Sequence, residues 1–318
     1  MRTNRQMLTA QSNQMDEFYT LYETIEKELA YYINYFKGKR VYCNCDNPRK
    51  SNFWKYFKTN FKKLGLDSLI STFYGENACI TKIYVKNNKL VEKVTKLKGN
   101  GDYRSEECIK ILKSADIVVT NPPFSLTKYF IPLMYKYKKD FIVLGNQNIL
   151  TFRDIYPLVL KGLLRMGVTI HSGDVKFQIP DEYNLIGNAY SDDKHKYARV
   201  TGIRWFTNLE HGYCPQKINL HSLKWNLKNN SKLIKKLKQK YGCVKYQSYD
   251  NYPAIEVPYT SAIPDDYDGV VGVPITFLDK YNPEQFKLVG FRKGLDGKDL
   301  KVNGKETYFR FLVQKRVV

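Results

Sequence analysis

Apolar positions along the chain follow two spacings, and the spacing changes at glycine, proline and asparagine. From Asp16 onward, Phe18, Leu21, Tyr22, Ile25, Leu29, Tyr32, Ile33 and Phe36 recur at helical intervals, and Lys37-Gly38 ends the run. Residues 40–45 predict a first strand, 46–51 its loop, and 52–64 a second helix stopped by Gly65. Residues 68–74 predict the next strand. Two runs, 80–85 and 89–97, split by Asn87-Asn88, predict a hairpin inserted in the connection. A helix from about Ser105 to Lys113 follows, then a strand entering Asn121 and a helix over 126–137. Residues 141–144 predict a strand, 152–164 a helix and 168–171 another strand. Strands alternating with helices predict an α/β fold with a mostly parallel, doubly wound sheet.

Beyond about Gly173 the alternation stops. Short aromatic strands (199–206), proline-rich loops and a lysine-laden segment (228–245) replace it. Leu233, Ile234 and Leu237 give that segment an apolar stripe, which leaves its lysines on the outer face. Clear elements return at 272–278, in a helix after Asn282-Pro283, and in a final strand over 307–314. The chain contains no internal repeat.

The most informative stretch is Asp116-Ile-Val-Val-Thr-Asn-Pro-Pro-Phe-Ser125. A buried strand runs straight into two prolines, which stop the ladder and hold an extended loop. Asn121 and Phe124 are thereby presented at the carboxyl end of a strand, where open α/β sheets bind ligands. The Asn121 side-chain oxygen and the Pro122 carbonyl suit an exocyclic amine, and Phe124 suits the flat ring carrying it. A rigid exit loop accounts for the same four residues without any chemistry. Asp102, on the Gly99-Asn-Gly-Asp102 loop, is placed to take the amine of an adenine ring. The loop after the first strand, Cys43-Asn-Cys-Asp-Asn-Pro48, lacks a Gly-x-Gly fingerprint, which argues against an ordinary dinucleotide enzyme.

Charge narrows the partner. The 318 residues carry a formal net charge of +21, a field that favours a polyanion, nucleic acid first. The 26 tyrosines and 17 phenylalanines, mixed with lysine, fit a surface pairing phosphate contacts with stacking, although most such rings pack in cores and rims. The six cysteines (43, 45, 79, 108, 214 and 243) form no disulfide or zinc framework, so reduced thiols and no metal are expected. With no bilayer-length apolar run and no visible signal peptide, a cytoplasmic, soluble protein without membrane contact is expected.

Taken in order, Asp-Glu-Phe-Tyr-Thr (16–20), Val-Tyr-Cys-Asn-Cys-Asp (41–46), Gly-Asp-Tyr-Arg-Ser-Glu-Glu-Cys (101–108), Val-Val-Thr-Asn-Pro-Pro-Phe-Ser (118–125), Gly-Val-Pro-Ile-Thr-Phe-Leu (272–278) and Tyr-Asn-Pro-Glu-Gln-Phe (281–286) resemble the EcoRI-type adenine-specific DNA methyltransferases. The resemblance runs from about residue 16 to the C-terminus and is weakest between 175 and 250. It implies a class I, Rossmann-like methyltransferase fold, S-adenosylmethionine as methyl donor, and N6 of a flipped-out adenine in double-stranded DNA as target. It implies a cofactor lining of Tyr19, Thr20, Cys43, Asn44, Asp46, Asp102 and Asn121, and a catalytic loop of Asn121, Pro122, Pro123 and Phe124. Tyr74 stands where many methyltransferases carry a ribose-binding acid, with Glu76 two residues on. The expected organisation is a mobile arm over 1–15, a cofactor-binding and catalytic core over 16–174, a basic, loop-rich target-recognition region over 175–260, and C-terminal elements over 261–318. Arg199, Arg204, Trp205, Lys235, Lys236 and Lys238 supply the recognition region with candidate DNA contacts. The expected enzyme is a monomer without an obligate protein partner. Two alternatives stay open: a methyltransferase for RNA or a protein glutamine, and a catalytically silent DNA-binding protein on the same fold.

Overall fold

The computed structural model describes residues 18–181, 189–192 and 194–316. The arm expected over 1–15 lies outside them. The chain divides into two compact units, one comprising Met1–Ile149 with Leu164–His211, the other Leu150–Leu163 with Gly212–Val318. Residues 175–211, grouped by sequence with the recognition region, therefore belong to the first unit.

The first unit begins with a short strand, β1 (Tyr19–Thr20), then α1 (Tyr22–Leu29), which tightens into a 3-10 helix over Ala30–Tyr35. β2 (Arg40–Cys43), α2 (Asn52–Thr59), α3 (Phe61–Leu64) and β3 (Ser68–Ser71) follow. The hairpin is β4 (Cys79–Lys86) and β5 (Lys89–Lys96), with Asn87 and Asn88 both at positive φ in its turn. Next come α4 (Glu106–Ser114), β6 (Ile117–Thr120), α5 (Thr127–Lys136) and β7 (Asp140–Asn146). The unit closes with β8 (Arg165–Met166), β9 (Asp174–Ile179), β10 (Ala189–Ser191), β11 (Lys196–Thr201) and β12 (Ile203–Thr207).

Its eight-stranded sheet has the order β5-β4-β3-β2-β6-β7-β12-β8. Pairing is parallel in the central four strands and antiparallel on both flanks. The sheet is thus mixed rather than mostly parallel. A two-residue turn joins β4 to β5, and a tight hairpin can only return antiparallel. Every residue of β3 and of β6 is buried, as strands covered on both faces must be. The core runs through Ile25, Leu29, Phe36, Phe57, Val119, Ile142 and Trp205. At the amino-terminal edge, the Asp116 carboxylate accepts from Arg40 N, Nε and Nη2 at 2.9, 3.0 and 2.7 Å, locking β6 beside β2. A second sheet, β1-β9-β11-β10, is antiparallel throughout.

The second unit holds α6 (Tyr156–Leu160), α7 (Leu223–Asn229) and α8 (Ser231–Tyr241). Its strands are β13 (Gln247–Ser248), β14 (Ala254–Glu256), β15 (Val270–Val273), β16 (Phe286–Phe291), β17 (Lys301–Val302), β18 (Lys305–Glu306) and β19 (Phe311–Lys315). Five of them form a sheet, β13-β14-β15-β19-β16, and β17-β18 a ribbon. Buried Glu256 takes the Arg310 guanidinium (Nη2 at 2.6 Å, Nε at 3.0 Å) and the Tyr249 hydroxyl, so its charge is matched inside the core.

Four expectations give way to packing. Residues 18–21, read as helix, form β1 and its exit because β1 pairs with β9. The helix expected over 152–164 shrinks to α6, and Gly162 turns with φ of 67°. The strand expected at 168–171 is a loop, since the Val168 and Thr169 amides bond the buried Glu28 carboxylate instead of a neighbouring strand. After Asn282-Pro283 the chain enters β16 rather than a helix, completing the edge beside β19.

Candidate active site

From β2 the chain reaches β3 on one side of the sheet and β6 on the other, so the topology reverses between β2 and β6. Their carboxyl ends open the crevice in which such sheets bind ligands. Asn44 to Asp46 leave β2 there, and Asn121 to Phe124 leave β6.

Asp46 is buried and held from three sides. Its carboxylate accepts from the Ser51 hydroxyl at 2.6 Å and the Thr120 hydroxyl at 2.5 Å, and its amide donates to the Thr72 carbonyl at 3.0 Å. Burial raises its pKa to about 6, against the lowering by the two hydroxyls. Ser51 also caps α2, accepting from the Phe53 and Trp54 amides at 3.1 and 3.3 Å. One hydroxyl therefore fixes both the helix start and the acid.

The Asn121 amide has a defined orientation. Its Nδ2 donates to the Phe18 carbonyl at 2.7 Å, while its buried Oδ1 has no partner among the described residues. Pro123 turns its carbonyl into the start of α5, accepting from Leu126 N at 2.9 Å. Among the described residues no backbone hydrogen bond ends on the Pro122 carbonyl. The loop thus presents the Asn121 Oδ1 and, beside it, a Pro122 carbonyl that no backbone amide among the described residues engages. The Phe124 ring is mostly buried, stacked on Phe18 (centroids 5.5 Å, planes 27° apart) and edge-on to Phe177 at 5.7 Å. One of its faces is already taken by Phe18.

Other buried polar atoms also lack partners. Among the described residues, neither the Oδ1 nor the Nδ2 of Asn44, 2% exposed, finds a partner, nor does the buried Thr20 hydroxyl. Buried polar groups are nearly always satisfied, so unpaired ones on the elements around one crevice fit a polar ligand. Asn52 Nδ2 bonds the Thr20 carbonyl at 2.8 Å, tying β1 to α2.

The remaining predicted positions divide. Cys43 ends β2 fully buried, and burial pushes its thiol well above the ordinary range, so it packs as a neutral side chain. Tyr19 lies on β1 with Lys50 Nζ 5.7 Å from its ring centroid. The Asp102 carboxylate is engaged by Arg104 of its own loop, Nε at 3.0 Å and Nη2 at 2.6 Å, which holds its pKa below the ordinary carboxylate value. Tyr74 is exposed, and Glu76 lines a cleft of about 840 Å³ with Asn47, Arg49, Trp54 and Phe73.

Arg199 is exposed on β11. Arg204 is not: it is 3% exposed, and its guanidinium donates to the carbonyls of Ile203 and His171 at 2.7 and 3.0 Å. Trp205 is wholly buried beside it. All five residues of β12 are buried, which leaves Arg204 and Trp205 no surface on which to meet DNA. Lys235, Lys236 and Lys238 are exposed on α8, opposite buried Leu233 and Leu237. Sequence reading missed Phe18, Asn52 and Thr120 as holders of the site; only the Ser51 helix start carried a local signal.

Residues 6–316 match the family described as adenine-specific methyltransferase EcoRI. The chain is 40% identical to the type II methyltransferase M.EcoRI of Escherichia coli, over 99% of this chain and 97% of that protein. It is 35% identical to the type II methyltransferase M.MgeORF184P of Mycoplasma genitalium, over 95% and 96% of the two chains. Identity to the type II methyltransferase M.MpnI of Mycoplasma pneumoniae is 34%, over 95% of each. A likeness to the solved structure of YeaZ from Pseudomonas aeruginosa has a TM-score of 0.16 at 8% identity, covering 50% of this chain and 76% of that one, and carries no argument.

Proposed function

The chain belongs to the EcoRI adenine-specific methyltransferase family, and from that membership we propose that it transfers a methyl group from S-adenosylmethionine to N6 of an adenine flipped out of duplex DNA. The observation that carries the proposal is the buried Asn121 Oδ1, without a hydrogen-bond partner among the described residues, on a loop held by two prolines. We read the central parallel strands as those of a class I methyltransferase, with the cofactor across the carboxyl ends of β2 and β6.

Asn44 and Thr20 would hold the polar end of the cofactor, with Asp46 near its cationic groups. Asp102 would meet the adenine ring while Arg104 fixes its carboxylate, and Glu76 is the acid that the loop after β3 offers to the ribose. When bound, S-adenosylmethionine supplies an electrophilic methyl on a sulfonium. An adenine amine is conjugated into its ring and is a poor nucleophile. Asn121 Oδ1 and the Pro122 carbonyl accept its two N–H groups, drawing the nitrogen toward tetrahedral geometry and stabilising the positive charge that develops. No base is needed beforehand, because the proton becomes acidic only as the nitrogen takes on that charge. The rigidity of Pro122-Pro123 supplies alignment. Phe124 would stack on the extruded ring through the face opposite Phe18, offsetting an unstacking cost of a few kcal/mol.

The basic side chains of β11 and α8, Arg199 with Lys235, Lys236 and Lys238, are proposed to meet the DNA backbone. Incubating the protein with labelled S-adenosylmethionine and, separately, duplex DNA, RNA and a glutamine peptide tests the substrate. Label in duplex DNA, recovered as N6-methyladenine, is the expected result; label only in RNA or peptide overturns it.

A further inference from the structure

The antiparallel sheet β1-β9-β11-β10 has two unlike faces. Val175, Phe177 and Ile179 of β9 are buried, and Val175 and Phe177 join the core beside Phe18. The other face carries a row that crosses all four strands in register. Tyr19 stands opposite Gln178, Gln178 opposite Tyr197, and Tyr197 opposite Tyr190. One row along, Lys176 of β9 stands directly opposite Arg199 of β11.

Like charges placed directly opposite on neighbouring strands destabilise a sheet. Neither Lys176 nor Arg199 forms an ion pair among the described residues. Asp192, whose carboxylate Lys176 helps to stabilise from a distance, is engaged by the backbone amides of Lys194 and His195 and forms no ion pair with Lys176. Tyrosine rings support the cations from beneath: Lys176 Nζ is 3.7 Å from the Tyr197 centroid, and the Arg199 guanidinium is 5.9 Å from that of Tyr190. Lys50 adds a third cation at the Tyr19 end of the row. Two aligned, ring-propped cations without an ion-pair partner among the described residues are arranged to meet an external anion. The face is also bound to the catalytic loop, since the Phe18 carbonyl just before β1 receives the Asn121 amide.

The geometry points to this face as a phosphate clamp for the DNA that carries the target adenine, with Lys176, Arg199 and Lys50 meeting the backbone beside the extruded base. The inference rests on the proposed reading that the substrate is duplex DNA. It assigns positions 50 and 176 a role in DNA contact and gives Arg199 a phosphate rather than a base. Preorganised cations on a rigid sheet fix the register of the duplex without reading its sequence.

The test is equilibrium binding of full-length protein to duplex DNA over a range of salt concentrations. The K176Q/R199Q variant is compared with wild type and with K89Q/K93Q, which removes the same charge from the exposed hairpin strand β5. The clamp predicts that the salt slope of log Kd falls by about 1 per cation in K176Q/R199Q and stays unchanged in K89Q/K93Q. Unchanged affinity for S-adenosylmethionine reports an intact fold. Equal slopes in all three proteins overturn the clamp, as does an equal loss in the two variants, which would make the effect one of net charge. Wild type that binds DNA with a clamp-dependent slope but methylates none overturns the catalytic reading and leaves the clamp standing.

Discussion

Asn121 Nδ2 donates to the Phe18 carbonyl at 2.7 Å across 103 positions of sequence, and Asn121 Oδ1 has no partner among the described residues. The bond fixes which end of the amide stays without a protein partner, the end proposed to meet the substrate. Asn121→Ala removes the acceptor and is expected to lower kcat roughly 10²–10³-fold, the usual loss for a transition-state hydrogen bond, with S-adenosylmethionine binding retained. Equal loss of binding and activity in a titration would assign the residue to the cofactor or the fold.

Asn121→Asp separates orientation from acceptor strength. A carboxylate accepts well but sets an oxygen against the Phe18 carbonyl, whereas the protonated acid can donate there as the amide does. Activity of the variant relative to wild type is therefore expected to rise as pH falls through the carboxyl titration. A flat ratio across the pH–rate profile contradicts the positioning role of Phe18.

Asp46 titrates at about 6, raised by burial. A carboxyl with a raised folded pKa contributes stability that is full below its ordinary value, near 4, and is lost as pH rises through about 6. Urea midpoints of wild type should fall over that window relative to Asp46→Asn. A cationic ligand bound beside the acid favours its ionised form, so the Kd for S-adenosylmethionine should tighten as pH rises through about 6 in wild type and stay level in the variant. Parallel profiles would place the cofactor's charges elsewhere.

Gly167 has no room for a side chain. A Cβ there would lie 2.4 Å from Trp205 Cβ, and the Glu28 carboxylate is closer still. That carboxylate is already committed to the Val168 and Thr169 amides, both at 2.8 Å, and the Tyr32 hydroxyl at 3.0 Å. Gly167→Ala is expected to cost about 2–3 kcal/mol, read as a lower urea midpoint, by overpacking and by disturbing a buried carboxylate. An unchanged midpoint would mean that the Glu28 loop shifts freely.

Phe124→Leu keeps the ring's place in the core filled while removing the stacking surface. Fluorescence of 2-aminopurine at the target position should show weaker capture of the extruded base, with filter-binding affinity for duplex DNA little changed. A collapse of DNA affinity would make Phe124 a binding residue rather than a base platform.

The buried strand running into the Asn121–Phe124 loop was legible because its signals are local: a buried run, two prolines and an aromatic residue within ten positions. The β4–β5 turn at Asn87-Asn88 and the α4 cap at Ser105 were legible for the same reason. Phe18 was not, because it was read in a helical stripe, and only the pairing of the next two residues with β9 and its bond to the distant Asn121 draw it out of a helix. Arg204 misled for a related reason. Ile-Arg-Trp-Phe-Thr looks like a half-exposed aromatic strand, yet β12 is covered on both faces and spends the guanidinium on two carbonyls. The cation pair Lys176–Arg199 arises from register between β9 and β11, which no single segment encodes.

The most direct measurement is methylation of a plasmid by the purified protein with S-adenosylmethionine, followed by single-molecule sequencing, with Asn121→Ala beside it. N6-methyladenine at one recurring sequence motif, present with wild type and absent with the variant, is the predicted result. Plasmid left unmodified by a protein that binds the cofactor tightly would contradict the account.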